Sequence, residues 1–118
     1  MGGILFLKTT NLPEVTKFYI KVLGFEHWLT QPEINIIKHE NLLLGFHQAT
    51  ETSKCGLITV FLNEKEEVDE LYSKLHDLGL VKTEPKENKK YRIYNFFAED
   101  IEGRDLEFQI FLHDLPPV

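Results

Sequence analysis

The chain has 118 residues, about the size of one domain, and its 42% hydrophobic and 12% aromatic content is enough for a packed core. Thirteen Lys and Arg against nineteen Asp and Glu give a net charge of -6, which predicts no nucleic-acid partner because phosphate backbones are also negative. The single cysteine, Cys55, excludes an internal disulfide, and with no signal-peptide or membrane-span pattern the chain is expected to be cytoplasmic with no membrane partner.

The first half of the chain predicts a strand, a helix and three further strands. Residues 4–9 are apolar and β-prone. A helix is predicted next, because Asn11 and Pro13 are typical of a helix start and apolar residues then recur at helical spacing until about Leu23. Three short β-prone runs complete this first unit: residues 25–30, 33–39 and 42–47.

The second half repeats this order after a polar linker at residues 49–55. Asn63 and Glu66 form a capping-box pattern, which predicts a helix that ends at Gly79. The strands predicted around this helix are residues 56–62, residues 80–83 and, after a charged loop through Lys90, a hairpin at residues 91–111. The chain is therefore predicted to be one α+β domain, residues 1–118, of two tandem βαβββ modules at about 1–48 and 56–113.

The closing hairpin carries most of the predicted site. A four-residue loop ending at Gly103 would place Glu99 opposite Arg104. In that register one face mixes aromatic and polar residues in three cross-strand pairs: Phe96 with Glu107, Tyr94 with Gln109, and Arg92 with Phe111. The other face is nearly all apolar and is predicted to be core: Ile93, Asn95, Phe97, Leu106, Phe108 and Ile110. A loop longer or shorter by one residue would swap the two faces.

Two motifs resemble those of a known superfamily. The first is Asn11-Leu12-Pro13, then Phe18-Tyr19, then Val22-Leu23-Gly24-Phe25. It is similar to the first-module signature of the vicinal oxygen chelate superfamily, which includes glyoxalase I, extradiol dioxygenases, fosfomycin-resistance enzymes and bleomycin-binding proteins. Residues 96–108 resemble its closing hairpin, with Ile101 where Pro is usual and Arg104 where Asn is common. The resemblance implies paired modules whose sheets curve into a cup with the helices outside, often in a homodimer.

The resemblance also implies a divalent metal, held by residues of each module's first strand and by carboxylates of the final strands. Glu107 occupies one such position. The other positions fall on aliphatic residues: Ile4, about Leu57, and Leu43 or Leu44. Predicted strand geometry does not bring the five histidines together. We therefore expect no metal or other cofactor, with a divalent metal as the alternative.

Several roles are open to Glu107, because a carboxylate in an apolar site must be paired, protonated or hydrated. It could form an ion pair with Arg92 or Lys8, act as a general acid or base, be a residual metal ligand, or lie on the surface. It is the best catalytic candidate in the chain. Whether the protein is an enzyme stays open.

The predicted ligand pocket is apolar and aromatic with few polar anchors: Phe6, Lys8, Phe61, Arg92, Tyr94, Phe96, Glu107, Gln109 and Phe111. The leading hypothesis is a protein similar to the glyoxalase and bleomycin-resistance proteins that binds a small amphipathic or aromatic molecule without a metal. One alternative is a metal-dependent glyoxalase-like lyase, isomerase or dioxygenase acting on a small oxygenated substrate. The other is a non-catalytic dimeric module.

Overall fold

The computed structural model describes residues 2–117. Its elements in chain order are β1 (Leu5–Thr9), α1 (Leu12–Lys21), β2 (Glu26–Gln31), β3 (Ile34–His39), β4 (Leu42–Gln48), β5 (Leu57–Phe61), α2 (Lys65–Asp77), β6 (Lys86–Asn88), β7 (Ile93–Glu99) and β8 (Asp105–Phe111). Neither of these helices has the length and apolar character needed to cross a membrane. The chain divides into two compact units, Met1–Lys54 and Cys55–Val118, which we call the first and second modules.

Both modules have the same topology. The strand order is β1-β4-β3-β2 in the first sheet and β5-β8-β7-β6 in the second. In each sheet the module's first strand runs parallel to its last, and the remaining neighbours are antiparallel. The order of the sequence patterns therefore predicted the α+β fold of two βαβββ modules correctly.

Helix α1 packs an aromatic face on the first sheet. Its N-cap is Asn11, whose side chain accepts a hydrogen bond from a backbone N–H of the first turn. Val15, Phe18 and Tyr19 are buried, as their helical spacing predicts. The ring of Tyr19 lies 4.9 Å from that of Phe46 on β4, centroid to centroid, so the helix and sheet share one aromatic core.

Helix α2 begins with a capping box one residue later than predicted. Glu67, rather than Glu66, accepts hydrogen bonds from the backbone nitrogens of Glu64 (2.9 Å) and Asn63 (3.2 Å). The N-cap residue is Glu64, and a capping box uses the third helical residue, which is then Glu67. The buried face of the helix matches the predicted spacing: Val68, Leu71 and Leu75.

The edge strand of the second sheet also differs from the prediction. Residues 80–83 contribute only an isolated bridge between Val81 and Ala98. The strand is instead β6, which pairs with β7 and lies within the predicted charged loop. Its residues are mostly exposed and charged, so the segment lacks the apolar alternation from which strands are recognised.

The hairpin of β7 and β8 has a three-residue loop rather than a four-residue one. The backbone nitrogen of Asp100 donates to the carbonyl of Arg104 (3.0 Å), and Glu99 pairs with Asp105. The Asp100 carboxylate sets this turn, because one of its oxygens accepts from the backbone nitrogens of Glu102 (2.8 Å) and Arg104 (3.0 Å). Gly103 has a φ of +87°, which suits the last position of such a loop.

A buried ion pair reinforces the turn. Asp100 and Arg104 are 1% and 3% exposed, and the Arg104 guanidinium donates to Asp100 and to Glu102 at 2.9 Å each. Burial alone would lower the pKa of Arg104, but the hydrogen bonds and charges of Asp100 and then Glu102 raise it above its usual value. Arg104 is therefore positively charged in the folded protein.

The shorter loop turns β7 over relative to β8. Phe96 lies opposite Phe108, and its ring contacts that of Tyr72 on α2 at 5.4 Å. Phe97 is the residue opposite Glu107. The predicted pairs of Phe96 with Glu107, Tyr94 with Gln109 and Arg92 with Phe111 are therefore wrong, because an odd loop exchanges the faces of one strand. The prediction for β8 is correct, with three buried core residues: Leu106, Phe108 and Ile110.

Candidate functional site

The candidate site is the face of the second sheet that points away from α2, which we call the Glu107 face: Leu57, Thr59 and Phe61 of β5, Asp105, Glu107, Gln109 and Phe111 of β8, and Ile93, Asn95, Phe97 and Glu99 of β7. Its centre is polar and buried, since Asn95, Glu107 and Gln109 are 6%, 9% and 7% exposed. Apolar side chains beside this centre are more accessible, since Leu57, Phe61 and Phe97 are 50%, 38% and 37% exposed. Buried polar groups within an accessible apolar rim are typical of a recognition surface.

Two neutral donors hold the Glu107 carboxylate. Oε1 accepts a hydrogen bond from the Thr59 hydroxyl (2.9 Å), and Oε2 accepts one from the Asn95 amide (2.8 Å). The sheet sets this arrangement, because Thr59 is the neighbour of Glu107 on β5 and Asn95 lies on the same face of β7. Since each carboxylate oxygen can accept more than one hydrogen bond, Glu107 is fixed in position but keeps acceptor capacity.

Within the described part of the second module, Glu107 forms no ion pair with a Lys or Arg, although an ion pair with Arg92 or Lys8 was one of the roles considered for it. Lys8 belongs to the first module, where its Nζ lies 3.8 Å from Glu51. Arg92 precedes β7 with a φ of +53° and forms part of a turn rather than the Glu107 face. The register is again the reason, because it gives Glu107 an amide and a hydroxyl as neighbours instead of a guanidinium.

Gln109 extends the polar strip toward an aromatic group. It follows Glu107 by two residues on β8 and lies between Phe61 and Asn95. No hydrogen bond among residues 2–117 involves its side-chain amide. Beyond it, the rings of Phe61 and Phe111 pack edge to face with centroids 5.5 Å apart. The ring of His113 lies 5.5 Å from that of Phe111 and extends this aromatic group.

The predicted pocket residues separate into groups. Phe61, Glu107, Gln109 and Phe111 come together on the Glu107 face. Tyr94 and Phe96 lie on the helix side of the sheet, where the Tyr94 hydroxyl donates to Asp69 of α2 at 2.5 Å. Arg92 lies in the turn that precedes β7, and Phe6 and Lys8 lie on β1 of the first module.

Asn95 and Phe97 are the site residues that sequence analysis missed, since both were predicted to be core. Hydrophobicity could not identify their face, because Phe96 and Ala98 make the opposite face of β7 equally apolar. The sequence did contain one indication of the correct face, which is the side-chain amide of Asn95. A buried Asn needs hydrogen-bond partners, and Glu107 is a nearby acceptor on the adjacent strand.

The donor set around Glu107 does not fit a divalent metal. Its immediate partners are a hydroxyl and an N–H donor, whereas such an ion needs several converging carboxylate, imidazole or thiolate ligands. Among residues 2–117, no three His, Cys, Asp or Glu side chains cluster closely enough to hold an ion. The residues at the other family positions, Ile4 and Leu57, carry no ligating atoms.

The counterpart of Glu107 in the first module is Gly45, rather than Leu43 or Leu44 as predicted. Leu44 and Phe46 are buried on β4 as Leu106 and Phe108 are on β8, so the residue between them is equivalent to Glu107. Glycine has no side chain with which to bind a metal. The first module also contains a cavity of about 290 Å³, which none of the predicted pocket residues lines; its residues are Gly24, Glu26, Lys38, His39 and Glu40.

The fold described here is that of the glyoxalase, bleomycin-resistance and dioxygenase proteins, as the sequence resemblance predicted. No family model and no curated protein matches the chain. Three similar solved structures illustrate the likeness. An integron cassette protein from the mobile metagenome of the Halifax Harbour sewage outfall has a TM-score of 0.78 at 21% identity, covering 94% of this chain and 98% of that one.

The other two structures come from named bacteria. A glyoxalase/bleomycin resistance protein/dioxygenase family enzyme from Burkholderia phytofirmans PsJN has a TM-score of 0.80 at 18% identity, covering 92% of this chain and 97% of that one. Lactoylglutathione lyase from Agrobacterium tumefaciens has a TM-score of 0.71 at 20% identity, covering 91% and 90%. At these identities the likeness is one of fold.

Proposed function

We propose that this protein binds a small amphipathic or aromatic molecule on the Glu107 face without a metal ion. The observation that supports this most directly is the polar strip of Glu107 and Gln109, which adjoins the aromatic pair of Phe61 and Phe111 within one module. Small-molecule sites combine an apolar lining with a few polar groups that fix orientation. A ligand with an aromatic body and a hydrogen-bonding end would use both parts of this face.

Binding suits Glu107 better than metal chemistry does. Its oxygens already accept from Thr59 and Asn95, so the carboxylate is oriented before a ligand arrives. Such preorganisation strengthens binding because less side-chain freedom is lost on association. The Gln109 amide offers both a donor and an acceptor beside it.

A fragment screen on chelator-treated protein tests this proposal. Aromatic fragments that bind should raise the melting temperature and shift the side-chain NH₂ resonances of Gln109 and Asn95 in NMR spectra. Phe61→Ala should weaken binding about tenfold, because the aromatic contact is lost. Leu78→Ala removes a comparably exposed apolar side chain at the end of α2 and should leave binding unchanged. Fragments that bind but leave Gln109 and Asn95 unperturbed would place the site elsewhere and refute the proposal.

A metal-dependent lyase, isomerase or dioxygenase is the second candidate function. It is favoured by the carboxylate of Glu107 on the last strand, and by the Agrobacterium tumefaciens lactoylglutathione lyase of the same fold. Titration of the purified protein with Zn²⁺, Ni²⁺, Mn²⁺ and Fe²⁺ in a calorimeter separates the two functions. Tight stoichiometric binding that Glu107→Gln abolishes would establish the metal function.

A dimeric, non-catalytic module is the third candidate. Leu5 and Phe6 on the edge strand β1 are 53% and 50% exposed, which suits contact with a second copy. Analytical ultracentrifugation of the wild type and of Leu5→Ser tests this. A dimer that Leu5→Ser dissociates, together with an empty fragment screen, would favour this candidate over ligand binding.

A further inference from the structure

We propose that the group bound at Glu107 is an organic cation, a primary ammonium or amidinium on an aromatic body. This deepens the proposed function and rests on it. The inference starts from the charge of Glu107, which its own neighbours orient but do not neutralise. The side chain is 9% exposed, and the hydroxyl of Thr59 and the amide of Asn95 are both uncharged.

A buried carboxylate without a cation is unfavourable, so a positive ligand group has a specific reason to bind there. The nearest cations of the second module are already engaged or exposed. Lys82 lies 2.5 Å from Asp105 and 3.8 Å from Glu99, at one end of the same face. Lys65 lies over the ring of Tyr94 on the helix side. In the described part of this module no Lys or Arg forms an ion pair with Glu107.

Lys86 is a further positive group near this face. It lies opposite Asn95 on the edge strand β6 and is exposed to solvent. Water and salt screen an exposed charge, and a whole strand separates Lys86 from Glu107. In the described part of the second module, the three carboxylates of Glu107, Asp105 and Glu99 therefore outnumber the ammonium groups of Lys82 and Lys86 on this face, which disfavours an anionic ligand.

Gln109 provides an independent indication of a ligand. The residue is 7% exposed, its side-chain amide has no hydrogen-bond partner within residues 2–117, and it lies on the same side of β8 as Glu107. Residues two apart on a strand are about 7 Å apart, so an ammonium between them can donate to the Glu107 carboxylate and to the Gln109 carbonyl. The rings of Phe61 and Phe111 lie next along the sheet, where they can contact the aromatic body.

Three naphthalene probes of matched shape test the charge preference. They are 1-naphthylmethylamine, 1-naphthalenemethanol and 1-naphthoate, titrated at pH 7 while the side-chain NH₂ resonances of Gln109 and Asn95 are followed by NMR. The amine should bind about tenfold or more tightly than the alcohol, because a hydrogen bond between charged groups is stronger than a neutral one. The carboxylate should not bind.

The variants locate the charge that causes the preference. Glu107→Gln should remove the advantage of the amine over the alcohol. Glu70→Gln is the matched control, since it makes the same chemical change at an exposed carboxylate on α2, and the advantage should persist there. If the advantage instead survives Glu107→Gln, or is lost in Glu70→Gln as well, the inference is overturned.

The probes also distinguish a failure of this inference from a failure of the proposed function on which it rests. Equal binding of amine and alcohol would overturn the inference and leave the proposed function intact. If no probe perturbs Gln109 or Asn95, both are overturned. The comparison of amine with alcohol uses wild-type protein alone, so it decides the question even if Glu107→Gln does not fold.

Discussion

The two sheets place different chemistry at equivalent positions. One row of three neighbouring residues crosses each sheet: Phe6, Gly45 and Ile36 in the first module, and Thr59, Glu107 and Phe97 in the second. In the first row the Phe6 ring covers Gly45 so closely that a Cβ there would lie 2.4 Å from it. In the second row a carboxylate takes the place of the glycine, and a hydroxyl takes the place of the aromatic ring.

This difference teaches that the candidate site depends on side chains placed on a repeated scaffold rather than on the scaffold itself. The topology is the same, yet only the second row carries hydrogen-bonding groups. The length of each hairpin loop sets the strand register and so determines which residues lie in each row. His39 pairs with Leu42 across a two-residue loop in the first module, whereas the second has a three-residue loop.

The largest expected effect comes from breaking the turn that sets the second row. Asp100→Ala removes the acceptor of two backbone N–H groups and leaves the buried Arg104 without its main partner. The free energy of unfolding should fall by about 3–5 kcal/mol, the usual result of removing one member of a buried ion pair. Chemical denaturation measures this loss.

Glu40→Ala, in the turn of the first module, is the matched control for Asp100→Ala. The side chain of Glu40 is exposed, so its removal should change stability by less than about 0.5 kcal/mol. If both variants lost the same stability, the second turn would have no special role in fixing the register.

Asn95→Leu should have the next largest effect. It removes the donor to Oε2 of Glu107 and places an apolar side chain beside a buried carboxylate. We expect a loss of about 2 kcal/mol of unfolding free energy, measured by urea denaturation, because an unsatisfied buried acceptor costs about 1–3 kcal/mol. The double variant Asn95→Leu with Glu107→Leu should recover part of this loss. Strict additivity would mean that the hydrogen bond contributes nothing.

Much of the fold was predictable from sequence because it depends on local periodicity. The helical spacing of Val15, Phe18 and Tyr19 identified the buried face of α1, and Leu106 with Phe108 identified that of β8. The edge strand β6 was missed because an exposed, charged strand has no apolar pattern to recognise. The repeated order of elements was enough to give the topology.

The site was only partly predictable because it depends on register. Glu107, Gln109, Phe61 and Phe111 were identified correctly as neighbours, since their faces follow from alternation on β5 and β8. Asn95 was placed on the wrong face because Gly103 suits the end of a three-residue loop as well as a four-residue one. The carboxylate of Asp100 decides between the two loops, and its hydrogen bonds cannot be seen in the sequence.

Gly45→Ala tests the first row, with a smaller expected effect. The new methyl group would displace the Phe6 ring, which is half exposed and can move, so we expect a loss of about 1 kcal/mol in thermal or chemical unfolding. In a Phe6→Ala background the same change should be neutral or stabilising, because alanine restricts the unfolded chain more than glycine does. An equal loss in both backgrounds would show that the contact with Phe6 is not the reason for the glycine.

The smallest expected effect concerns the side-chain hydrogen bond that joins each helix to its sheet. In the first module this hydrogen bond joins two neutral groups, since the Asn35 amide donates to the Thr16 hydroxyl at 3.1 Å. In the second module both groups can ionise, since the Tyr94 hydroxyl donates to the Asp69 carboxylate at 2.5 Å. Burial, followed by the hydrogen bond and charge of Asp69, raises the pKa of Tyr94 from 10.0 to about 12. The stabilisation from the hydrogen bond between Tyr94 and Asp69 should therefore be complete below about pH 10 and be lost as the pH rises toward 12.

Tyr94→Phe should lower the free energy of unfolding by about 0.5–1 kcal/mol at pH 7, a modest value because solvent reaches this pair. The difference from wild type should shrink between pH 10 and pH 12, as the wild-type hydroxyl ionises and its hydrogen bond to Asp69 is lost. Urea denaturation at pH 7, 9 and 11 measures this. Thr16→Val breaks the hydrogen bond between Asn35 and Thr16 in the first module. Its loss of unfolding free energy relative to wild type should not vary over the same pH range. A constant difference for Tyr94→Phe would mean that ionisation of Tyr94 is not coupled to folding.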